Sequence, residues 1–156
     1  MLDIKEIAKK ARNAGYDYSI LDTKSKNDAL YAIADELDNN REAIFSVNKT
    51  DVENARNNGL NEALVDRLTL TDSRFREMVE GVRKVALLDD PVGRIYDGRT
   101  LPNGLTLVKK SVPFGVVGVI YESRPNVTVD IAALCLKSSN ACFLRGGSEA
   151  FNTNCM

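Results

Sequence analysis

The sequence contains no histidine, and only three of its 156 residues are cysteines. The absence of histidine excludes Ser-His-Asp triads, Cys-His dyads, histidine metal sites and histidine proton shuttles. Cys135, Cys142 and Cys155 are odd in number and lack CxxC spacing. They therefore predict neither a disulfide framework nor a zinc site. We expect a protein of the reducing cytoplasm that has no metal centre.

The chain also lacks an excess of one charge and a long apolar segment. Lys plus Arg number 21 and Asp plus Glu number 22, which gives a net charge of −1. This balance disfavours nucleic acid and anionic membranes as partners. The N-terminus has no apolar stretch of signal-peptide or membrane-span length. GxGxxG and GxxxxGK[ST] are absent, so any recognition of a nucleotide or phosphate uses another local pattern.

Helical periodicity dominates residues 1–90. The segments KNDALYAIADELDNN and TDSRFREMVEGVRKVALLDDP carry apolar residues at i, i+3, i+4 and i+7, and the second begins at a Thr71/Asp72 cap and ends before Pro91. Between them, DVENARNNG predicts a short polar helix that ends at Asn58 and Gly59. We interpret the apolar stripes as core packing.

Strand patterns begin after Pro91. Residues 92–112 carry Asp-Gly and Pro-Asn-Gly turn signals between short alternating segments, which predicts an antiparallel ribbon. Residues 113–156 contain the apolar runs VVGVIY and ACFLR on either side of a helical segment, which predicts a parallel βαβ unit with a right-handed crossover. Runs that are apolar on both faces predict strands buried between helix layers. The predicted fold class is α/β, and because two parallel strands leave open edges we expect part of a larger domain.

Polar residues follow the first apolar run, in ESRPNVT. Ligands of open α/β sheets bind beyond the carboxyl ends of the strands, near helix N-termini. Arg124 supplies a cation there, and Asn126 has two interpretations. Its side chain either caps the following helix or donates a hydrogen bond to a developing oxyanion. The spacing does not decide between them.

A second polar segment, LRGGSEA, follows the second apolar run. Gly146 and Gly147 permit a tight turn and a close backbone approach, Ser148 is a candidate N-cap, and Glu149 falls in the first helical turn. Arg145 at the strand end suits a phosphate group. The pattern therefore indicates either an anion- or nucleotide-binding edge or a simple connector.

The segment VPFGVVGVIYESRPNVTVDIAALCLKSSNACFLRGGSEAFNTN, with NGLNEALVDRLTL and DDPVGRIYDG before it, resembles the γ-glutamyl phosphate reductase (glutamate-5-semialdehyde dehydrogenase) family. That family belongs to the aldehyde dehydrogenase superfamily. The resemblance covers essentially the whole chain. It implies that residues 1–156 are the N-terminal part of an NADP-binding, aldehyde-dehydrogenase-like domain, comprising helices (1–90), a ribbon (92–112) and a Rossmann-like βαβ unit (113–156), without the catalytic domain.

The resemblance also implies an activity: the NADPH-dependent reduction of L-glutamyl 5-phosphate to L-glutamate 5-semialdehyde and phosphate, in proline biosynthesis. Asn126 matches an asparagine that contributes to the oxyanion hole in the superfamily. The segment from Arg145 through Gly146, Gly147 and Ser148 to Glu149 matches its cofactor-binding segment. There the arginine is expected to meet a 2′-phosphate and the glutamate a ribose hydroxyl. The family further implies a homo-oligomer whose subunit contacts are built partly from the ribbon.

The cysteine nucleophile that the superfamily uses matches none of the three cysteines. Cys135 and Cys142 lie on apolar segments and are predicted to be core thiols, and Cys155 has no assignment. We therefore expect the 156-residue chain to be inactive alone. Two further hypotheses remain at this point: a non-catalytic nucleotide-binding half-domain, and a member of the superfamily that acts on another aldehyde or acyl substrate.

Overall fold

The computed structural model describes residues 3–156 and has an α/β architecture. A set of helices comes first, followed by an antiparallel ribbon and a strand–helix–strand unit, which leads into a 3₁₀ turn and a short final helix. No helix among residues 3–156 is long and apolar enough to cross a membrane. The elements are α1 (Ile4–Ser19), α2 (Thr23–Asn39), α3 (Arg41–Asn57), α4 (Glu62–Leu68), α5 (Asp72–Leu87), β1 (Ile95–Thr100), β2 (Thr106–Lys110), β3 (Val116–Ile120), α6 (Pro125–Lys137), β4 (Ala141–Arg145), the 3₁₀ turn Ser148–Ala150 and α7 (Phe151–Cys155).

Helices α2, α5 and α6 pack on one another and form the main core. Leu30 of α2 and Phe75 and Val82 of α5 are fully buried there. Burying an aliphatic or aromatic side chain of this size stabilises the fold by about 1.5–3 kcal/mol. The Thr71 side chain accepts a hydrogen bond from the Arg74 backbone N–H, so the predicted start of α5 is confirmed.

The segment predicted as a short polar helix is instead the second half of α3, which spans 17 residues. The prediction was wrong because part of the buried face of α3 is polar. Asp51 is buried and accepts hydrogen bonds from the Thr153 backbone N–H (2.8 Å), the Thr153 hydroxyl (2.6 Å) and Asn152 Nδ2 (2.7 Å). These bonds fasten α7 to α3. Gly59 follows the helix with φ +77°, as the predicted end requires.

The antiparallel ribbon is confirmed, and β1 pairs with β2 from Ile95 opposite Lys110 to Thr100 opposite Thr106. Its loop contains the Pro-Asn-Gly signal, with Gly104 at φ +85°. The prediction of a turn at Asp-Gly was wrong, because Gly98 lies inside β1 and pairs with Val108. A register shift lies nearby, between residues 95 and 97.

Strands β3 and β4 pair in parallel, as predicted, from Val116 opposite Ala141 to Ile120 opposite Arg145. The prediction that both strands are buried between helix layers was wrong. Ile120 is 87% exposed and Val116 is 37% exposed, whereas the alternate residues of β3 are partly buried. Helices α1 and α6 contact this sheet, and Ile120 at the end of β3 is left largely exposed among residues 3–156.

The buried hydrogen bonds of Asp51 generate a prediction about stability. Replacing Asp51 with alanine leaves the buried backbone N–H and hydroxyl of Thr153 without their acceptor, and we expect the free energy of unfolding to fall by about 1–3 kcal/mol. Urea denaturation followed by circular dichroism measures the change. Glu53→Ala is the matched control, since Glu53 is an exposed acid on the same helix, and it should change stability by less than about 0.5 kcal/mol. Equal effects of the two substitutions would contradict the role given to Asp51.

Candidate functional site

Pairing of β3 with β4 brings the two polar segments together at one edge of the sheet. The Tyr121 backbone N–H donates to the Arg145 carbonyl oxygen at 3.1 Å and continues the ladder by one bond. Beyond it, the Ser123 hydroxyl donates to Glu149 Oε2 at 2.5 Å. Residues that are 26 positions apart in the sequence therefore form one continuous polar surface.

The Glu149 carboxylate is held by two serines. Its Oε2 accepts from Ser123 and its Oε1 accepts from the Ser148 hydroxyl at 3.0 Å. The bond from Ser123, with its own backbone N–H and Ser148, lowers the pKa of Glu149 below its usual value. The N-cap prediction for Ser148 was wrong, because Gly147 occupies the cap of the short 3₁₀ turn and the serine hydroxyl is bonded to the glutamate instead.

Gly146 and Gly147 are needed for close approach and not for an unusual backbone conformation, since neither has a positive φ. A Cβ atom on Gly147 would lie 2.0 Å from Ser123 Oγ and 2.9 Å from Glu149 Oε2. A Cβ atom on Gly146 would lie 2.6 Å from Asn154 Nδ2. The close approach predicted from the sequence is thus present, and it brings the two strand exits against each other.

Asn126 is the second residue of α6 and does not cap it. The cap position belongs to Arg124, which makes no side-chain cap bond, and Pro125 stands at the first helical position. Proline favours that position because its φ is already helical and it has no N–H to satisfy. The Asn126 side chain has one long contact, from Nδ2 to Asp130 Oδ2 at 3.4 Å. Burial raises the pKa of Asp130.

Asn126 lines a cleft of about 460 Å³ between α4, α5 and the start of α6, which we call the arginine cleft. Two of its three arginines were not predicted from the sequence. They lie on α4 and α5, more than 50 positions before Asn126, where they resemble ordinary surface charges of amphipathic helices. The lining residues are Arg67, Arg74, Glu77, Met78, Arg124, Asn126 and Asp130.

Arg74 has different partners from the other two arginines of the cleft. Arg74 donates to the Thr69 carbonyl oxygen at 3.0 Å and to Asp66 Oδ2 at 2.8 Å, so it ties α5 to the end of α4. Arg67 NH1 and Arg124 NH2 instead contact the same atom, Glu122 Oε2, at 3.0 and 3.2 Å. Arg74 is therefore structural, while Arg67 and Arg124 share a single carboxylate.

A second, smaller cleft of about 220 Å³, the glycine cleft, lies on the other side of the Arg67–Glu122 pair. Two leucines provide apolar surface, and the Ser123–Glu149 pair provides hydrogen-bonding groups. Arg145 does not line this cleft; its side chain is exposed and forms no hydrogen bond or ion pair with residues 3–156. The lining residues are Leu60, Leu64, Arg67, Glu122, Ser123, Gly147 and Glu149.

Comparison with known proteins identifies relatives along the whole chain. It is 54% identical over 154 residues to a γ-glutamyl phosphate reductase of Salmonella agona, and 50% identical over 152 residues to that of Thermobifida fusca. Solved structures of γ-glutamyl phosphate reductases from Thermotoga maritima and Saccharomyces cerevisiae match with TM-scores of 0.92 and 0.93, at 47% and 43% identity. The chain is similar to γ-glutamyl phosphate reductases along almost its whole length. A scan against family models gave no match.

The match extends over nearly all of this chain but over only part of each relative. It covers 97–99% of the chain but only 36% of the two bacterial reductases. The structural match covers 96–98% of the chain, and 36% of the Thermotoga and 39% of the yeast protein. The chain thus spans about a third of the length of the family members that it matches.

The three cysteines lie away from both clefts. Cys135 is buried on α6, and the prediction that it is a core thiol is confirmed. Cys142 is only partly buried in β4, and Cys155 is exposed in α7. Burial raises the pKa of the Cys135 and Cys142 thiols, which makes them poor nucleophiles. None of the three lines the arginine cleft or the glycine cleft.

The close contact at Gly147 generates a second prediction. Gly147→Ala forces Ser123 and Glu149 away from the backbone, and we expect it to destabilise the chain by about 1–3 kcal/mol. Gly118→Ala is the control, because a Cβ atom there has no neighbour within 4 Å and its φ is not positive. The control should stabilise the chain by about 0.4–1 kcal/mol, since alanine restricts the unfolded state. Thermal unfolding compares the two variants, and similar midpoints would refute the close-contact argument.

Proposed function

We propose that the chain forms the cofactor-binding edge and part of the substrate cleft of an NADP-dependent γ-glutamyl phosphate reductase. The reaction is the reduction of L-glutamyl 5-phosphate to L-glutamate 5-semialdehyde and phosphate, a step of proline biosynthesis. The observation that carries the proposal is identity of 50–54% to reductases of that name across nearly the whole chain. The two adjacent clefts at the strand exits support it, because the reaction needs a site for each of two ligands.

Within this proposal, residues 1–156 are the N-terminal part of the NADP-binding domain. The nucleophilic cysteine is assigned to the part of the relatives that lies outside the match, which is consistent with the position of Cys135, Cys142 and Cys155 away from both clefts. The ribbon of β1 and β2, exposed along its whole length, is assigned to contacts in a homo-oligomer. The free thiols agree with a cytoplasmic location.

The glycine cleft fits a nicotinamide cofactor. Gly147 lines the cleft beside Ser123 and Glu149, and the side chains of Leu60 and Leu64 offer an apolar wall for a planar ring. The Glu149 carboxylate, kept ionised by Ser123 and Ser148, accepts hydrogen bonds such as those of ribose hydroxyls. Arg145 has an unpaired guanidinium among the described residues and suits a 2′-phosphate. When bound, NADPH supplies the hydride that reduces the acyl carbon.

Asn126 is assigned to the carbonyl oxygen of the substrate. Its amide is a neutral donor that lines the arginine cleft, and its only side-chain hydrogen bond within residues 3–156 is the long one to Asp130. Because this amide is already held on the first turn of a helix, it needs little reorientation to donate a hydrogen bond to a developing oxyanion. Loss of one such donor lowers turnover by about 10²–10³ in serine-protease precedents.

The proposal predicts that a hybrid enzyme is active. In this hybrid, the chain replaces the matching 36% of the Salmonella agona reductase. We expect NADP⁺-dependent oxidation of glutamate 5-semialdehyde in the presence of phosphate, followed as NADPH absorbance. Asn126→Ala should lower kcat by about 10²–10³ and leave the KM for NADP⁺ unchanged.

Asn54→Ala is the control for that experiment, because Asn54 is exposed on α3 and lines neither cleft. It should leave kcat unchanged. A folded hybrid that oxidises simple aldehydes but not the semialdehyde would contradict the substrate. A folded hybrid that is inactive on both, while the chain binds NADPH, would instead favour the non-catalytic half-domain.

The assignment of Arg145 predicts a difference between two cofactors. Arg145→Ala should weaken NADPH binding to the chain by about tenfold or more and leave NADH binding within twofold, because only NADPH carries a 2′-phosphate. Fluorescence titration of each reduced cofactor measures the two dissociation constants. Arg99→Ala, an exposed arginine of the ribbon, controls for the loss of one charge. Equal weakening of both cofactors would remove Arg145 from this role.

A further inference from the structure

The arginine cleft contains more positive charge than its nearest partner neutralises. Arg67 and Arg124 contact one oxygen of Glu122, at 3.0 and 3.2 Å, so two guanidinium groups face a single carboxylate. Glu122 lines the glycine cleft and does not line the arginine cleft, whereas both arginines do. Both cations therefore face the arginine cleft, and the single carboxylate that they share lies beside it.

One of these two arginines also has an unused hydrogen-bond donor. Arg124 Nε is buried and has no partner among residues 3–156. Leaving a buried donor without a partner is unfavourable, and a ligand that accepts its hydrogen bond would remove that cost. Arg74 is not such a donor, because Asp66 and the Thr69 carbonyl already engage it.

Two acids of the lining also face an anion in the cleft. Glu77 and Asp130 line it as well, and Glu77 accepts a hydrogen bond from Ser73 at 3.0 Å. Burial raises the pKa of Asp130. Arg74 is left out of this comparison because Asp66 pairs with it, so Arg67 and Arg124 are the two cations of the lining that an anion can meet.

The position of the cations beside Asn126 indicates which anion they meet. Arg124 and Asn126 are two residues apart at the start of α6, and both line the same cleft. In an acyl phosphate, one oxygen atom joins the carbonyl carbon to phosphorus. A group that holds the carbonyl oxygen therefore has the phosphate as its immediate neighbour. Guanidinium groups bind phosphate through short, charge-assisted and often bidentate hydrogen bonds.

We propose that Arg67 and Arg124 form the subsite for the phosphate group of an acyl phosphate, with Asn126 next to it on the carbonyl oxygen. This assignment rests on the proposed function for the identity of the substrate. The existence of an anion site in the cleft does not rest on it, and the two are tested separately.

The test is a titration of the 156-residue chain with inorganic phosphate, followed by ¹H–¹⁵N spectra of the arginine Nε–H groups. We expect saturable shifts of the Arg67 and Arg124 signals, whereas Arg56, an exposed arginine at the end of α3, stays unshifted. Arg124→Gln and Arg67→Gln should each weaken phosphate binding by about tenfold to a hundredfold. Arg56→Gln removes the same charge elsewhere and should change it by less than twofold. The backbone spectra report whether each variant is folded.

The other anions decide what the subsite recognises. Acetate and chloride, titrated at matched ionic strength, should shift the two signals little. Equal or tighter binding of acetate would overturn the phosphate assignment and indicate a carboxylate subsite, such as one for the α-carboxylate of a glutamyl group. Equal shifts with chloride, or no saturable shift with phosphate, would overturn the site altogether.

The hybrid enzyme separates the substrate groups directly, because phosphate and glutamate 5-semialdehyde are distinct substrates in the oxidative direction. Arg124→Gln should raise the KM for phosphate at least tenfold and leave that for the semialdehyde within twofold. The reverse pattern would overturn the proposal in favour of the α-carboxylate. Phosphate binding by the chain together with an inactive, folded hybrid would leave the anion site standing and reject the proposed reaction.

Discussion

Parallel pairing of β3 with β4 is the contact on which both clefts depend. Five residues of each strand are in register, and the last pair sets Ile120 opposite Arg145. The chain leaves both strands at the same edge, so ESRPN and GGSE meet although a whole helix separates them. A slip of one residue would turn the alternating side chains of β3 to the other face and separate Ser123 from Glu149. The chemistry of the edge is therefore a consequence of strand register.

Partly buried hydrogen bonds hold the two strand exits in place. The Tyr121 hydroxyl and the Thr128 hydroxyl lie 2.7 Å apart, and Thr128 donates to Asn154 Oδ1 at 2.9 Å. Gly146 fits against the same tyrosine and asparagine. Since α7 is in turn fastened to α3 through Asp51, the strand exits are connected to the helical core by hydrogen bonds as well as by apolar packing. Such bonds are directional, and they fix positions that apolar contacts alone would leave adjustable.

Local patterns predicted most of the elements, because periodicity, caps and turn residues act over a few positions. The Thr71 cap, the ribbon and the βαβ order all follow from such signals. Interactions between distant segments could not be predicted. The polar side of α3 is buried because residues of α7, about 100 positions later, supply its hydrogen bonds. For the same reason Arg67 gave no signal as a site residue, since only the tertiary fold places α4 beside the exit of β3.

The two-stranded sheet has a further consequence for the behaviour of the chain in solution. Ile120, 87% exposed on β3, and Phe114, 94% exposed just before it, lie beside backbone groups that no third strand of the described residues pairs. Open strand edges with apolar neighbours are templates for the addition of further strands. The colloidal stability of the chain is thus set by a few residues around β3, while its conformational stability is set mainly by the helices. Solubility and folding free energy are consequently governed by different parts of the same molecule.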